Sequence, residues 1–116
     1  MIYPATFAQQ WIDAWNSRDL ELLLSFYAED IQLRSPFAKL YTQGGTIKGK
    51  NALRAYWSEA LKRAPNIHLK LIATYAGHMS LALHYEDEAS RNVMESMLFD
   101  DMDKVVIETA CIDRSR

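Results

Sequence analysis

The chain has 116 residues, close to the commonest size of one domain, with 49% hydrophobic and 24% charged residues, a balance that excludes disordered and fibrous classes. Thirteen Lys and Arg against fifteen Asp and Glu leave a formal charge of -2 with the signs interspersed, so there is no basic block to follow a phosphate backbone, and nucleic acid is not an expected partner. The one cysteine, Cys111, excludes an intrachain disulfide, and Met1-Ile2-Tyr3-Pro4 has neither the charge nor the apolar length of a secretion signal; one domain over 1–116, cytoplasmic and without a membrane span, is expected.

Phe7, Ala8, Trp11, Ile12 and Trp15 recur at helical spacing behind Pro4, whose missing N–H is harmless in a first helical turn, and predict a first helix. Asn16-Ser17-Arg18-Asp19 offers side chains able to cap free backbone N–H groups, and Leu20, Leu23, Leu24 and Tyr27 then mark a short second helix. Ile31-Gln32-Leu33-Arg34 alternates apolar with polar and breaks at Ser35-Pro36, the pattern of a strand. Residues 36 to 49, containing Pro36, Gly44, Gly45 and Gly49, read as a loop. Leu53, Tyr56, Trp57, Ala60, Leu61 and Ala64 form the clearest stripe in the chain, bounded by Gly49 and Pro65, and predict a third helix.

Beyond Pro65 the period changes to two. Ile67, Leu69, Leu71, Ala73 and Tyr75 alternate with their neighbours, and Leu81, Leu83 and Tyr85 repeat the pattern beyond Gly77-His78-Met79-Ser80. Val93 to Phe99 and Lys104 to Ile112 follow, separated by the turn-like Asp100-Asp101-Met102-Asp103. The order α-α-β-α-β-β-β-β predicts an α+β fold, a meander of consecutive antiparallel strands with the helices gathered on one side. Ile72 and Thr74, or Met94 and Leu98, give several strands a second apolar face, which predicts a homodimer through the sheet.

In that order, several stretches resemble the nuclear transport factor 2-like superfamily and, more narrowly, its SnoaL-like members. They are Trp15-Asn16-Ser17-Arg18-Asp19-Leu20, Tyr27-Ala28-Glu29-Asp30-Ile31, Ser35-Pro36-Phe37, Gly49-Lys50-Asn51-Ala52-Leu53-Arg54-Ala55-Tyr56-Trp57 and Phe99-Asp100-Asp101. The resemblance spans nearly the whole chain and implies a cone, with a curved antiparallel sheet wrapped around three helices and an apolar pocket inside. Relatives of that kind include ketosteroid isomerases, polyketide cyclases, dehydratases and proteins that only bind partners, so the fold does not settle the function. Matched to ketosteroid isomerase, the base position before Pro36 is Ser35 and the oxyanion tyrosine position is Trp11. The second oxyanion acid falls at Glu95, and of two supporting tyrosines Tyr27 is kept and Trp57 is not. The isomerase mechanism in that form is therefore not expected.

Glu95 also stands out by pattern, because Val93 and Met97 flank it at period two and share its face. A carboxyl there either has a raised pKa and serves as acid or hydrogen-bond donor, or pairs with a basic residue or reaches the rim. Glu108, on the next strand, is expected as a solvated residue near the dimer rim unless its even-numbered face turns inward, in which case it joins the pocket. Around Glu95 as the catalytic group, the expected ligand-binding set is Trp11, Trp15, Tyr27, Ser35, Phe37, Tyr56, Trp57, Met97, Glu108 and Ile112. His68, His78 and His84 lack metal-ligand spacing, and His84 reads as an interface or core residue. Cys111 reads as a buried inert thiol, and no glycine-rich phosphate loop or cofactor is implied. The expected ligand is a small apolar or aromatic molecule, with proton-transfer chemistry of the isomerase, cyclase or dehydratase type. The rival reading is a non-catalytic homodimeric binding or protein-interaction module of the same fold.

Overall fold

The computed structural model describes residues 1–42 and 44–115; Gln43, in the expected loop, and Arg116 lie outside the described residues. The first helix, α1 (Pro4–Asn16), begins with Pro4 at a position where no N–H is needed and buries Phe7, Ala8, Trp11, Ile12, Ala14 and Trp15. Asp19 caps α2 (Leu20–Leu24) by accepting a hydrogen bond from the Leu22 N–H at 3.1 Å. This helix is a turn shorter than the leucine stripe suggests, because Tyr27 already opens β1 (Tyr27–Arg34). Helix α3 (Lys50–Arg63) buries Leu53, Tyr56 and Trp57 and stops at Ala64, as Pro65 requires.

The expected loop from 36 to 49 contains structure of its own. A 3-10 helix, Pro36–Leu40, is capped by Ser35, and β2 (Thr46–Lys48) pairs antiparallel with β1 through Leu33 and Ile47. Three residues are too few to display a strand period, which is why the sequence pattern misses β2.

The remaining strands, β3 (Lys70–Gly77), β4 (Ser80–Glu86), β5 (Asn92–Phe99) and β6 (Val105–Ile112), form the expected antiparallel meander. The sheet order is β2-β1-β6-β5-β4-β3, and β1 joins β6 in parallel, a pairing the meander pattern does not contain. Register shifts occur between Tyr27 and Gln32, between Leu71 and Ala73, and between Leu98 and Phe99. Such irregularities add local twist and bend, and here they curve the sheet over α1 and α3.

The shift in β3 also corrects a facing. Ile72 is the extra residue and is exposed, whereas Thr74 pairs with the buried Leu83 and so lies on the inner face, leaving Tyr75 outside. Along β5 the pattern is strict: Val93, Glu95, Met97 and Phe99 are buried, and Leu98 is 45% exposed on the other side. No helix among the described residues is long and apolar enough to cross a membrane.

Candidate functional site

A cavity of about 250 Å³ opens between α1, α3, the 3-10 helix and the inner face of the sheet. Its inner end is built by sheet register. Met97 of β5 lies opposite Glu108 of β6, and Glu95 lies opposite Ala110, so the two glutamates are diagonal neighbours on one face. Glu95 is 4% exposed and Glu108 1%. Both line the cavity, and they hydrogen-bond to each other.

Each carboxyl also holds a tyrosine. Trp11 Nε1 donates to the Tyr27 hydroxyl at 2.9 Å, and that hydroxyl in turn donates to Glu108 Oε1. The Tyr85 hydroxyl donates to Glu95 Oε2 at 3.0 Å. Burial raises the Glu95 pKa well above the usual carboxylate range, and the neighbouring Glu108 raises it further. Glu108 is raised by burial too, but the hydrogen bonds it accepts from Glu95 and Tyr27 favour its charged form. Burial and contact thus dispose the pair to hold a proton near neutral pH. Tyr27 and Tyr85 remain protonated donors, because burial raises both phenols well above their ordinary value.

The walls are aromatic. All three tryptophans of the chain line the cavity, with Trp15 edge-on to Trp57 at 5.2 Å and Trp11 edge-on to Trp15 at 6.0 Å. Tyr56 and Ser35 lie together on the same wall, and Ser35 Oγ also accepts from the Phe37 N–H at 3.2 Å. The indole N–H of Trp15 is buried without a hydrogen-bond partner among the described residues. At the mouth, the Arg63 guanidinium lies over Tyr41 at 5.1 Å and the Arg91 guanidinium over Phe37 at 5.0 Å. Arg91 is paired with Asp87 at 2.7 Å, and Arg63 with Glu59 at 3.6 Å.

Of the expected set, Trp11, Trp15, Ser35, Phe37, Tyr56, Trp57, Glu95 and Glu108 are brought together around this cavity. Tyr27 stands behind Glu108 as its donor and does not line the space. Met97 is fully buried on the inner face but belongs to the packed core, and Ile112, half-buried at the end of β6, does not reach the cavity. Glu108 is a correction to the expectation of a solvated rim residue, since the even-numbered face of β6 turns inward. Cys111 is likewise corrected: it is exposed on the outer face, opposite Met94. His84 sits on that face as well, with Nε2 2.9 Å from Asn92 Oδ1.

Tyr85, Tyr41, Arg63, Asp87 and Arg91 also line the cavity and were not anticipated. For Tyr85 a signal existed, since it continues the buried alternation of Leu81 and Leu83. The mouth residues lie on turns and helix ends, where no periodicity marks the facing of a side chain.

The model of the SnoaL-like domain matches residues 8–110. The chain belongs to the SnoaL-like family. A SnoaL-like protein of unknown function from Burkholderia thailandensis E264 is similar at 37% identity and TM-score 0.88, over 95% of this chain and 94% of that one. Two more distant structures share the fold. A protein described as a candidate isomerase of the SnoaL-like family from Agrobacterium tumefaciens str. C58 has 17% identity and TM-score 0.74, covering 94% of this chain and 96% of that one. A candidate polyketide cyclase from Sinorhizobium meliloti has 14% identity and TM-score 0.74, covering 90% and 92%. No curated protein matches the chain. Glu108 adds a second buried carboxyl beside Glu95.

Proposed function

We propose that this SnoaL-like protein binds a small apolar or aromatic molecule in its cavity and moves a proton on it, in chemistry of the isomerase, cyclase or dehydratase type. One observation carries the reading: two adjacent carboxyls, Glu95 and Glu108, are buried at the inner end of an aromatic-walled, open cavity. Glu108 takes a proton from one position of the ligand while Glu95 gives its own to another, so the pair holds one proton before and after the step. Trp11 and Tyr27 fix Glu108 from behind, and Trp15, Tyr56 and Trp57 orient the ligand by packing. The descriptions of the Agrobacterium and Sinorhizobium structures agree with this class of chemistry.

The non-catalytic module remains the second reading, favoured by Ser35 and Trp11 in place of the isomerase base and phenol. Carboxyl NMR on selectively labelled glutamate separates the two. The catalytic reading expects Glu95 to titrate above the ordinary range and to respond to a bound ligand; an ordinary value with no response would overturn it.

The same reading includes a homodimer through the outer sheet face. Ile72, Tyr75, Leu98 and Ile107 expose apolar surface there, and Cys111 lies among them. A reducing, cytoplasmic setting suits its unpaired thiol.

A further inference from the structure

The inner end of the cavity is short of positive charge. Glu95 and Glu108 are buried side by side, and burial and their closeness both work against ionising them, so negative charge on the pair calls for a counterion. None of the ion pairs among the described residues includes Glu95 or Glu108. A buried charge without a counterion is costly, and its cost falls when a cation arrives.

Hydrogen-bond accounting points the same way. The donors that touch the pair are already engaged: the Tyr27 hydroxyl on Glu108, the Tyr85 hydroxyl on Glu95, and the Trp11 N–H on Tyr27. The proton of Glu95 is given to Glu108. A ligand group arriving there meets acceptor lone pairs, so it must bring donors of its own. The walls suit a cation for an independent reason. Trp11, Trp15 and Trp57 present aromatic surface around the same space, and indole is the best of the side-chain rings at holding a desolvated ammonium. The mouth does not oppose entry, because Arg91 is neutralised by Asp87 and Glu88, and Arg63 by Glu59.

We propose that the cavity selects a small organic cation, a one- or two-ring amine whose ammonium group lies against Glu95 and Glu108 within the tryptophan walls. This rests on the ligand-binding reading above and names the charge of what is bound. The size follows from the volume: an apolar cavity of about 150 Å³ holds benzene, and this one is about 250 Å³.

The test uses three probes of one shape, 2-aminoindane, 2-indanol and indane-2-carboxylate, titrated near neutral pH by calorimetry and tryptophan fluorescence. Every tryptophan lines the cavity, so its emission reports occupancy. The amine is expected to bind at least about tenfold more tightly than the alcohol, and the carboxylate not at all. Glu108→Gln is expected to bring the amine-to-alcohol ratio close to one; should that variant not fold, the wild-type ratio decides alone. Alcohol binding as tight as amine binding overturns the cation inference and leaves the pocket reading standing. Silence of all three probes in both measurements counts against both.

Discussion

Replacing Glu95 with Gln keeps the side chain's shape and removes its titration. In the folded protein its pKa is raised, by burial first and by Glu108 second, whereas the ordinary value is 4.5. Between those two values the folded state holds a proton that the unfolded chain has lost, so stability falls as pH rises, by up to about 1.4 kcal/mol per pH unit. Below the ordinary value both states are protonated and the difference is at its most favourable to the wild type. Urea denaturation from about pH 4 to about pH 8 is therefore expected to show wild type losing ground steadily to Glu95→Gln. A difference that stays flat or runs the other way would mean that Glu95 is ionised when folded. Tyr27→Phe acts on the other carboxyl. It removes the donor to Glu108 and strands the Trp11 N–H, two buried groups at once. The expected loss is about 2–4 kcal/mol in the same denaturation measurement, larger than an exposed Tyr→Phe change produces.

The elements that hold the cavity open are joined at one corner. Asn16, at the end of α1, accepts from the Leu69 N–H and donates to the Leu69 carbonyl, both at 2.8 Å, pinning the chain just before β3. Arg18, in a left-handed conformation with φ of 60°, donates to the carbonyls of Leu61, Ala64 and Pro65 at the end of α3. The Asn16–Asp19 stretch, legible in sequence as a cap for α2, thus also fastens α3 and β3 to the same turn. Asn16→Ala is expected to cost about 1–3 kcal/mol and to speed hydrogen exchange at the Leu69 amide. Unchanged protection there would show that the corner is held by packing alone. Gly49 starts α3 with φ of 90° and ψ of 151°, a region essentially restricted to glycine, and its N–H donates to the Ile31 carbonyl at 2.7 Å. Its added methyl would meet nothing closer than the Glu29 carbonyl at 3.9 Å, so Gly49→Ala is a test of backbone strain rather than of crowding. It is expected to cost about 1–3 kcal/mol, while Gly44→Ala, which meets nothing within 4 Å, stays near zero by thermal melting.

At the scale of the whole molecule, the proposed dimer rests on the outer sheet face. Leu98 is 45% exposed and Ile107 43%, on paired positions of β5 and β6. Placing a charge on each, as in Leu98→Asp with Ile107→Asp, is expected to convert a dimer to a monomer with little change in the secondary-structure spectrum, read by light scattering and circular dichroism. A wild type that is monomeric at high concentration would remove the dimer from the proposal. The sequence by itself determined the three helices, the four-strand meander and that Glu95 shares a strand face with Val93 and Met97, while the structure turned that face to the cavity. Those follow from local periodicity, caps and proline stops, each readable within a dozen residues. Only the tertiary structure decided that β1 runs parallel beside β6, that Thr74 turns inward past a bulge, and that Glu108 is buried against Glu95 instead of solvated. The reason is physical: which strands meet, and in what register, depends on contacts between residues as distant as Tyr27 and Glu108, and no local pattern encodes those distances.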